Sequence, residues 1–144
     1  MLASGDAAGL LRSSGLRATP QRIAVLKALS VRSHPTAEEI LEILAPEHPG
    51  TSLATVYNTL STLTDHGQVQ AIGTAEGRRY DLRTDPHQHV RCRQCRRLAD
   101  LPEWPGEQWI RLALPTGWEG GTWHLMVEGL CPDCRSDEYH EQPS

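Results

Sequence analysis

The chain has 144 residues, a net charge of −4 and 38% hydrophobic residues, which suffices for one ordinary domain or two small ones. It contains neither an apolar run long enough for a membrane span nor a charged and then apolar leader, so we expect a cytoplasmic protein without membrane contact. In that reducing compartment, four cysteines favour metal binding over a disulfide scaffold.

The excess acidic charge is confined to the second half of the chain. Residues 1–83 contain eight basic and eight acidic side chains, whereas residues 84–144 contain six and ten. The neutral first half carries Arg17 and Arg22 near its start, where they can form a local basic face. A nucleic acid would therefore bind the first half, with a modest electrostatic contribution.

The first half predicts three helices. Apolar residues at helical spacing follow Pro20, which is tolerated in a first turn. A second helix begins with a capping box of Thr36 and Glu39. A third begins near Ser52 and ends at Gly67, whose missing side chain suits a left-handed C-terminal cap.

The third helix combines an apolar face with a polar one. Short hydrogen-bonding side chains of this kind can reach base edges in a major groove, and the alternative is a merely solvated face. The polar face consists of Thr55, Tyr57, Asn58, Ser61 and Thr62.

Two alternating segments follow the third helix. Residues 68–72 and 78–82 predict a hairpin, in which Arg78 and Arg79 can contact phosphates. Three helices followed by a hairpin describe a winged helix-turn-helix. We therefore assign residues 1–83 to a domain that binds double-stranded DNA.

The second half follows a break in the pattern at residues 84–86, which we interpret as a hinge because Pro86 disfavours a helix there. Residues 87–144 then predict strand, strand, helix, strand and a polar mobile tail from Ser136. The predicted elements span residues 89–91, 98–101, 107–114 and 122–128.

Two Cys-x-x-Cys pairs, separated by 35 residues, give the strongest chemical signal. Four thiolates in a tetrahedral arrangement are a common structural zinc site, and zinc would supply folding energy that so small a domain lacks. The alternatives are four unrelated thiols and a redox-active pair. The predicted zinc ligands are Cys92, Cys95, Cys131 and Cys134.

A second candidate set contains imidazoles and carboxylates but no thiol. Such ligands favour a labile divalent ion such as iron(II) or manganese(II), although they also accept zinc. Metal binding that joined ligands from both halves would couple them, as a switch requires. Read singly, the same residues are ordinary surface, strand or capping residues. The set consists of His34, Asp81, His87, His89 and Asp100.

Several motifs together resemble the ferric uptake regulator family of metal-dependent repressors, over roughly residues 8 to 134. These motifs are Ala-Thr-Pro-Gln-Arg at 18–22, His-Pro-Thr-Ala at 34–37, Ser-Leu-Ala-Thr-Val-Tyr-Asn-Thr-Leu at 52–60, His-Gln-His at 87–89 and both cysteine pairs in order. None of them is specific alone. Their combination in this order is highly specific.

The resemblance implies an α+β fold with an N-terminal winged helix-turn-helix and a small α/β dimerisation domain that holds the four-cysteine zinc. It implies a homodimer on a two-fold symmetric operator, with Tyr57 reading bases. It also places regulatory iron(II) or manganese(II) on the five histidines and aspartates. The protein would then be a transcription regulator and not an enzyme.

Both acidic positions of the regulatory set are aspartates, Asp81 and Asp100, which resembles the peroxide-sensing branch of the family. In that branch peroxide oxidises ligand imidazoles, here expected at His34 and His87, and the operator is released. The alternatives are a manganese- or iron-level sensor and, less favoured without a regulatory cysteine, a zinc-uptake sensor. From other classes, a zinc hydrolase and a thiol oxidoreductase remain, although no nucleophile motif supports the former.

Two features depart from the family pattern. Asn58 stands where many relatives carry arginine, which should weaken contacts with phosphate or guanine. Pro86 and Gln88 stand where a third metal site found in some relatives needs a histidine and an acid. We therefore expect no third site.

Overall fold

The computed structural model describes residues 2–102, 106–120 and 123–141, without the side chains of residues 107 and 137–141. The chain divides into two compact units, Met1–Asp85 and Pro86–Ser144. Across the described ranges, no helix combines the length and apolar character needed to cross a membrane.

The first unit is a group of helices followed by a two-stranded antiparallel sheet. Thr74 pairs with Gly77 at the turn of the hairpin, and Gln70 pairs with Asp81 at its open end. Its elements are α1 (Ser4–Ser13), α2 (Pro20–Val31), α3 (Ala37–Leu44), α4 (Leu53–Asp65), β1 (Gln70–Thr74) and β2 (Gly77–Asp81).

Hydroxyl caps begin three of these helices where the sequence predicts them. Thr19, Thr36 and Ser52 each accept a hydrogen bond from a backbone amide three residues further on, at 3.1–3.2 Å. Gly67 follows α4 with a φ of 72°, a left-handed conformation that glycine adopts without strain. The predicted starts and the predicted end are thus correct.

The helix α1 was not predicted as a separate element. Its sequence contains Gly5 and Gly9, each of which costs about 1 kcal/mol relative to alanine in a helix. Ala7 and Leu11 are nevertheless fully buried in the core of the unit. Tertiary packing therefore stabilises a helix that the local sequence disfavours.

The core of the first unit joins all four of its helices to the hairpin. Leu11, Leu26, Ile40 and Leu60, one from each helix, are fully buried. Tyr80 adds a buried side chain from β2. This packing fixes α4 by its apolar face and leaves its polar face outward.

The second unit contains a three-stranded sheet of order β4-β3-β5. The central strand β3 pairs antiparallel with β4, His89 opposite Asp100, and parallel with β5, Cys92 opposite Gly129. The elements are β3 (His89–Cys92), β4 (Leu98–Asp100), α5 (Glu107–Ala113), β5 (Met126–Gly129) and α6 (Pro132–Glu141).

Two predictions for this unit need correction. The last strand begins at Met126, and Thr122, where it was predicted to begin, lies outside the described residues. Residues 136–141, the described part of the predicted mobile tail, belong to α6. Pro132 and Asp133 suit the first turn of a helix, but the polar sequence of α6 has no apolar periodicity that would reveal it.

Candidate metal centres and nucleic-acid surface

The four cysteines form one cluster in the second unit. Cys92 ends β3 and Cys95 lies in the turn to β4, while Cys131 and Cys134 lie at the start of α6. Their sulfur atoms all lie within 4.8 Å of one another, and Cys95 Sγ is 3.7 Å from Cys131 Sγ. A tetrahedral zinc with Zn–S bonds of about 2.3 Å requires sulfur atoms about 3.8 Å apart. The donor set therefore fits zinc.

Backbone amides polarise this cluster. The amides of Cys131 and Cys95 donate to Cys92 Sγ and lower the pKa of that thiol to about 5. The amide of Cys134 likewise lowers the pKa of Cys131, whereas the hydrogen bond from Cys134 to the Cys131 sulfur raises the pKa of Cys134 to about 12. All four are free cysteines. The surroundings thus favour thiolates at the positions that amides reach, and metal ligation requires thiolates.

In the first unit, His34 and Asp81 form a pair of nitrogen and oxygen donors. His34 Nε2 lies 3.3 Å from Asp81 Oδ2, and His34 Nδ1 lies 2.7 Å from Ser33 Oγ. The His34 backbone has a φ of 50°, a left-handed conformation that costs a side-chain-bearing residue about 1–2 kcal/mol. Outliers of this kind are concentrated at functional sites.

In the second unit, two histidines converge on one carboxylate. His87 Nε2 and His89 Nε2 each lie 3.4 Å from Asp100 Oδ1. The two rings meet edge to face with centroids 4.6 Å apart, and both side chains are buried. The pairing of β3 with β4 places His89 opposite Asp100. Each unit therefore contains imidazole and carboxylate donors without sulfur, a set that suits iron(II) or manganese(II).

Some side chains on the polar face of α4 form hydrogen bonds within the protein, and others are exposed. Asn58 and Ser61 are exposed, as is Tyr57 at 41%. Tyr57 Oη donates to Glu38 Oε1 at 3.2 Å, and burial, followed by this bond to a carboxylate, raises the pKa of Tyr57. Thr55 Oγ1 lies 2.8 Å from the capping Ser52 Oγ. Sequence reasoning missed Glu38, which no spacing rule connects to α4.

The predicted basic contacts separate into two groups. Arg17 and Arg78 are exposed, and Arg22 Nη1 donates to the Arg17 carbonyl at 3.1 Å. Arg79 Nη1 instead donates to a carbonyl inside the unit, that of His34, at 2.9 Å, and its contact with DNA stays a prediction. Neighbouring residues of a strand point to opposite faces, so Arg78 and Arg79 cannot both face a phosphate from one side of the hairpin.

Gln88, just before β3, binds the residue that follows β4 and the residue that precedes β5. Its side-chain oxygen accepts from the Leu125 amide at 2.6 Å, and its backbone carbonyl accepts from the Leu101 amide at 2.8 Å. The Gln88 side chain therefore stabilises the sheet at a position where a third metal site would need a ligand. The prediction that no such site exists here stays a prediction.

A winged helix-turn-helix unit and a sheet unit with a four-cysteine cluster define the class of metal-responsive transcription regulators. Comparison with known families is more specific: the sequence profile of the ferric uptake regulator family matches residues 13–120. The chain belongs to the ferric uptake regulator family. This match confirms the resemblance seen in the motifs. Because members of the family are transcription regulators, the zinc hydrolase and thiol oxidoreductase alternatives are set aside.

Individual relatives agree. The peroxide-responsive repressor PerR of Staphylococcus saprophyticus is 38% identical over 133 residues, which cover 90% of each chain. The structure of the ferric uptake regulator of Helicobacter pylori has a TM-score of 0.77 at 22% identity, covering 99% of this chain and 97% of that one, which establishes the α+β fold. A structure of PerR from Streptococcus pyogenes has a TM-score of 0.50 at 30% identity over 93% and 94% of the chains.

Proposed function

We propose that this protein is a metal-dependent transcriptional repressor that senses peroxide in the cytoplasm. The observation that carries the proposal is the sulfur-free donor chemistry, with an aspartate in each unit beside buried histidines. The 38% identity to a peroxide-responsive repressor supports the same conclusion.

The regulatory metal is proposed to be iron(II) or manganese(II), held by ligands from both units. The ligands are His34, Asp81, His87, His89 and Asp100. Because the first two belong to the DNA-binding unit, simultaneous ligation would restrict how that unit is held and favour the conformation that binds DNA. Bound iron(II) would supply the electron that activates peroxide, and manganese(II) would not. Oxidation of His34 or His87 would weaken ligation and release the operator.

The four cysteines are proposed to hold a structural zinc that stays bound while the regulatory metal exchanges. The fit of the sulfur separations to tetrahedral zinc supports this assignment. The site joins the end of β3 to the start of α6. Its role would be to keep the second unit folded.

The partner is proposed to be a two-fold symmetric DNA operator bound by a homodimer. Exposed apolar side chains of the second unit support a dimer contact there: Trp109 and Trp118 are each 70% exposed and Leu112 is 80% exposed. Tyr57, Asn58 and Ser61 would face bases, with Thr55 beside them. Arg17, Arg22 and Arg78 would face phosphates, and Arg79 is reassigned below.

Mass spectrometry after peroxide treatment tests the mechanism. We expect the iron-loaded protein to gain one oxygen atom on the peptides that contain His34 or His87 and to lose its affinity for DNA. The manganese-loaded protein serves as the control and should show neither change. Iron-loaded protein that releases DNA without added oxygen on either peptide would contradict histidine oxidation as the trigger.

A manganese- or iron-level regulator is the second candidate, favoured by the same donor set, which binds these ions whether or not peroxide reacts. It predicts DNA binding that follows the free concentration of one metal and ignores peroxide. A zinc-uptake regulator would bind DNA in response to zinc at a far lower free concentration than it would need of manganese or iron. Metal titrations of DNA binding distinguish these outcomes.

A further inference from the structure

The strand that carries Asp81 also fixes the loop that carries His34. The backbone carbonyl of His34 accepts a hydrogen bond from Arg79 Nη1 at 2.9 Å. The next carbonyl, that of Pro35, accepts from the backbone amide of Tyr80 at 2.9 Å. Two consecutive carbonyls of the loop are thus bound by two consecutive residues of β2.

Arg79 reaches this loop from the same face of β2 as Asp81, since side chains two residues apart on a strand share a face. Its charge is balanced by Glu39, whose Oε1 lies 3.5 Å from Arg79 Nη1. Glu39 Oε2 in turn lies 2.8 Å from Arg32 Nε. The carboxylate offsets the repulsion that the guanidinium would exert on a nearby cation.

We propose that Arg79 is a positioning residue for the regulatory metal, and that it does not contact DNA. By holding the carbonyl of His34, it fixes the left-handed backbone there and keeps the imidazole Nε2 facing the Asp81 carboxylate. The inference rests on the proposed regulatory site. Groups that orient metal-binding histidines typically change metal affinity by about 10–100-fold when they are removed.

The adjacent Arg78 provides a matched control. It is exposed, carries the same charge and lies on the opposite face of the same strand. Arg79→Met and Arg78→Met remove the same guanidinium and keep a stem of similar length. Arg79→Lys keeps the positive charge but replaces the planar guanidinium by a single ammonium group, which can still donate a hydrogen bond.

The test is a manganese(II) titration of the full-length, zinc-loaded protein, together with a titration of DNA binding against salt. We expect Arg79→Met to lower manganese affinity about 10-fold or more, with partial recovery in Arg79→Lys. Arg78→Met should keep the manganese affinity but reduce the salt dependence of DNA binding. In a His34→Ala background, Arg79→Met should cause no further loss of manganese affinity.

If Arg79→Met binds manganese as tightly as the wild-type protein or more tightly, the inference is wrong. The proposed metal site would still stand in that case, because the wild-type protein binds manganese. An equal loss in the His34→Ala background would mean that Arg79 acts on general stability, which also overturns it. Wild-type protein that binds neither manganese nor iron beyond its zinc would instead contradict the proposed function itself.

Discussion

Cys92 and Cys134 are the two buried members of the four-cysteine cluster, whereas Cys95 is exposed. A buried thiol is poorly replaced by a hydroxyl, because the hydroxyl is a weak ligand for zinc and costs free energy when it lacks a hydrogen-bond partner. The buried positions should therefore tolerate substitution least.

We expect Cys134→Ser to lose its bound zinc and the cooperative unfolding of the second unit. Structural zinc contributes about 10–16 kcal/mol of apparent binding free energy in small domains, far more than such a unit can replace by packing. Zinc content by atomic emission and thermal unfolding measure the two effects. Gln94→Ala, an exposed neutral change between Cys92 and Cys95, is the control and should retain both. Full zinc retention in Cys134→Ser would refute the assignment.

At the scale of the secondary-structure element, the helix α4 presents few cations to DNA. Asn58 is exposed in its middle, and the remaining exposed residues of that face are neutral. Sequence-independent affinity comes mainly from basic side chains at phosphates. This helix therefore contributes to base reading more than to electrostatic attraction.

Asn58→Arg should strengthen binding of the manganese-loaded protein to a duplex of arbitrary sequence. One added phosphate contact should steepen the slope of log K against log salt by about 0.9. Fluorescence anisotropy across a salt series measures the slope. Asn58→Gln adds length without charge and should leave it unchanged. An identical slope for Asn58→Arg would show that an arginine at this base-facing position does not reach a phosphate.

Elements with local signals were predicted from sequence and those without were missed. Thr36 and Ser52 identified helix starts because a capping hydroxyl acts within three residues. The helix α1 has apolar residues at helical spacing but no side-chain cap to mark its start, and α6 has a polar sequence, so neither was predicted as a separate helix. The spacing of His87 and His89 and that within each cysteine pair are also local signals, whereas no local spacing connects His34 with Asp81. The hydrogen bond from Arg79 to His34 joins residues 45 positions apart, so no local sequence signal predicts it.

At the scale of the whole molecule, the exposed apolar residues of the second unit predict its assembly. Leu112 is 80% exposed on α5. A charge at this position costs little in a monomer, but burial of an unpaired charge in an interface is strongly unfavourable.

Leu112→Glu should therefore convert the dimer to a monomer and weaken binding to a two-fold symmetric operator. Sedimentation equilibrium measures the first effect and gel-shift titration the second. Leu10→Glu, the same change at a 41% exposed leucine of the first unit, should leave the dimer intact. A stable Leu112→Glu dimer would place the interface elsewhere.

The parallel pairing of β5 with β3 has a consequence for how the second unit reaches its native state. The two strands are joined by a long crossover, whereas β3 and β4 are joined by a short turn that forms readily. The cysteines lie where the crossover must close, so their metal offsets the entropy lost on closing that loop. Refolding of this unit should therefore show a phase whose rate rises with free zinc, while the helical unit refolds at a rate that zinc does not alter.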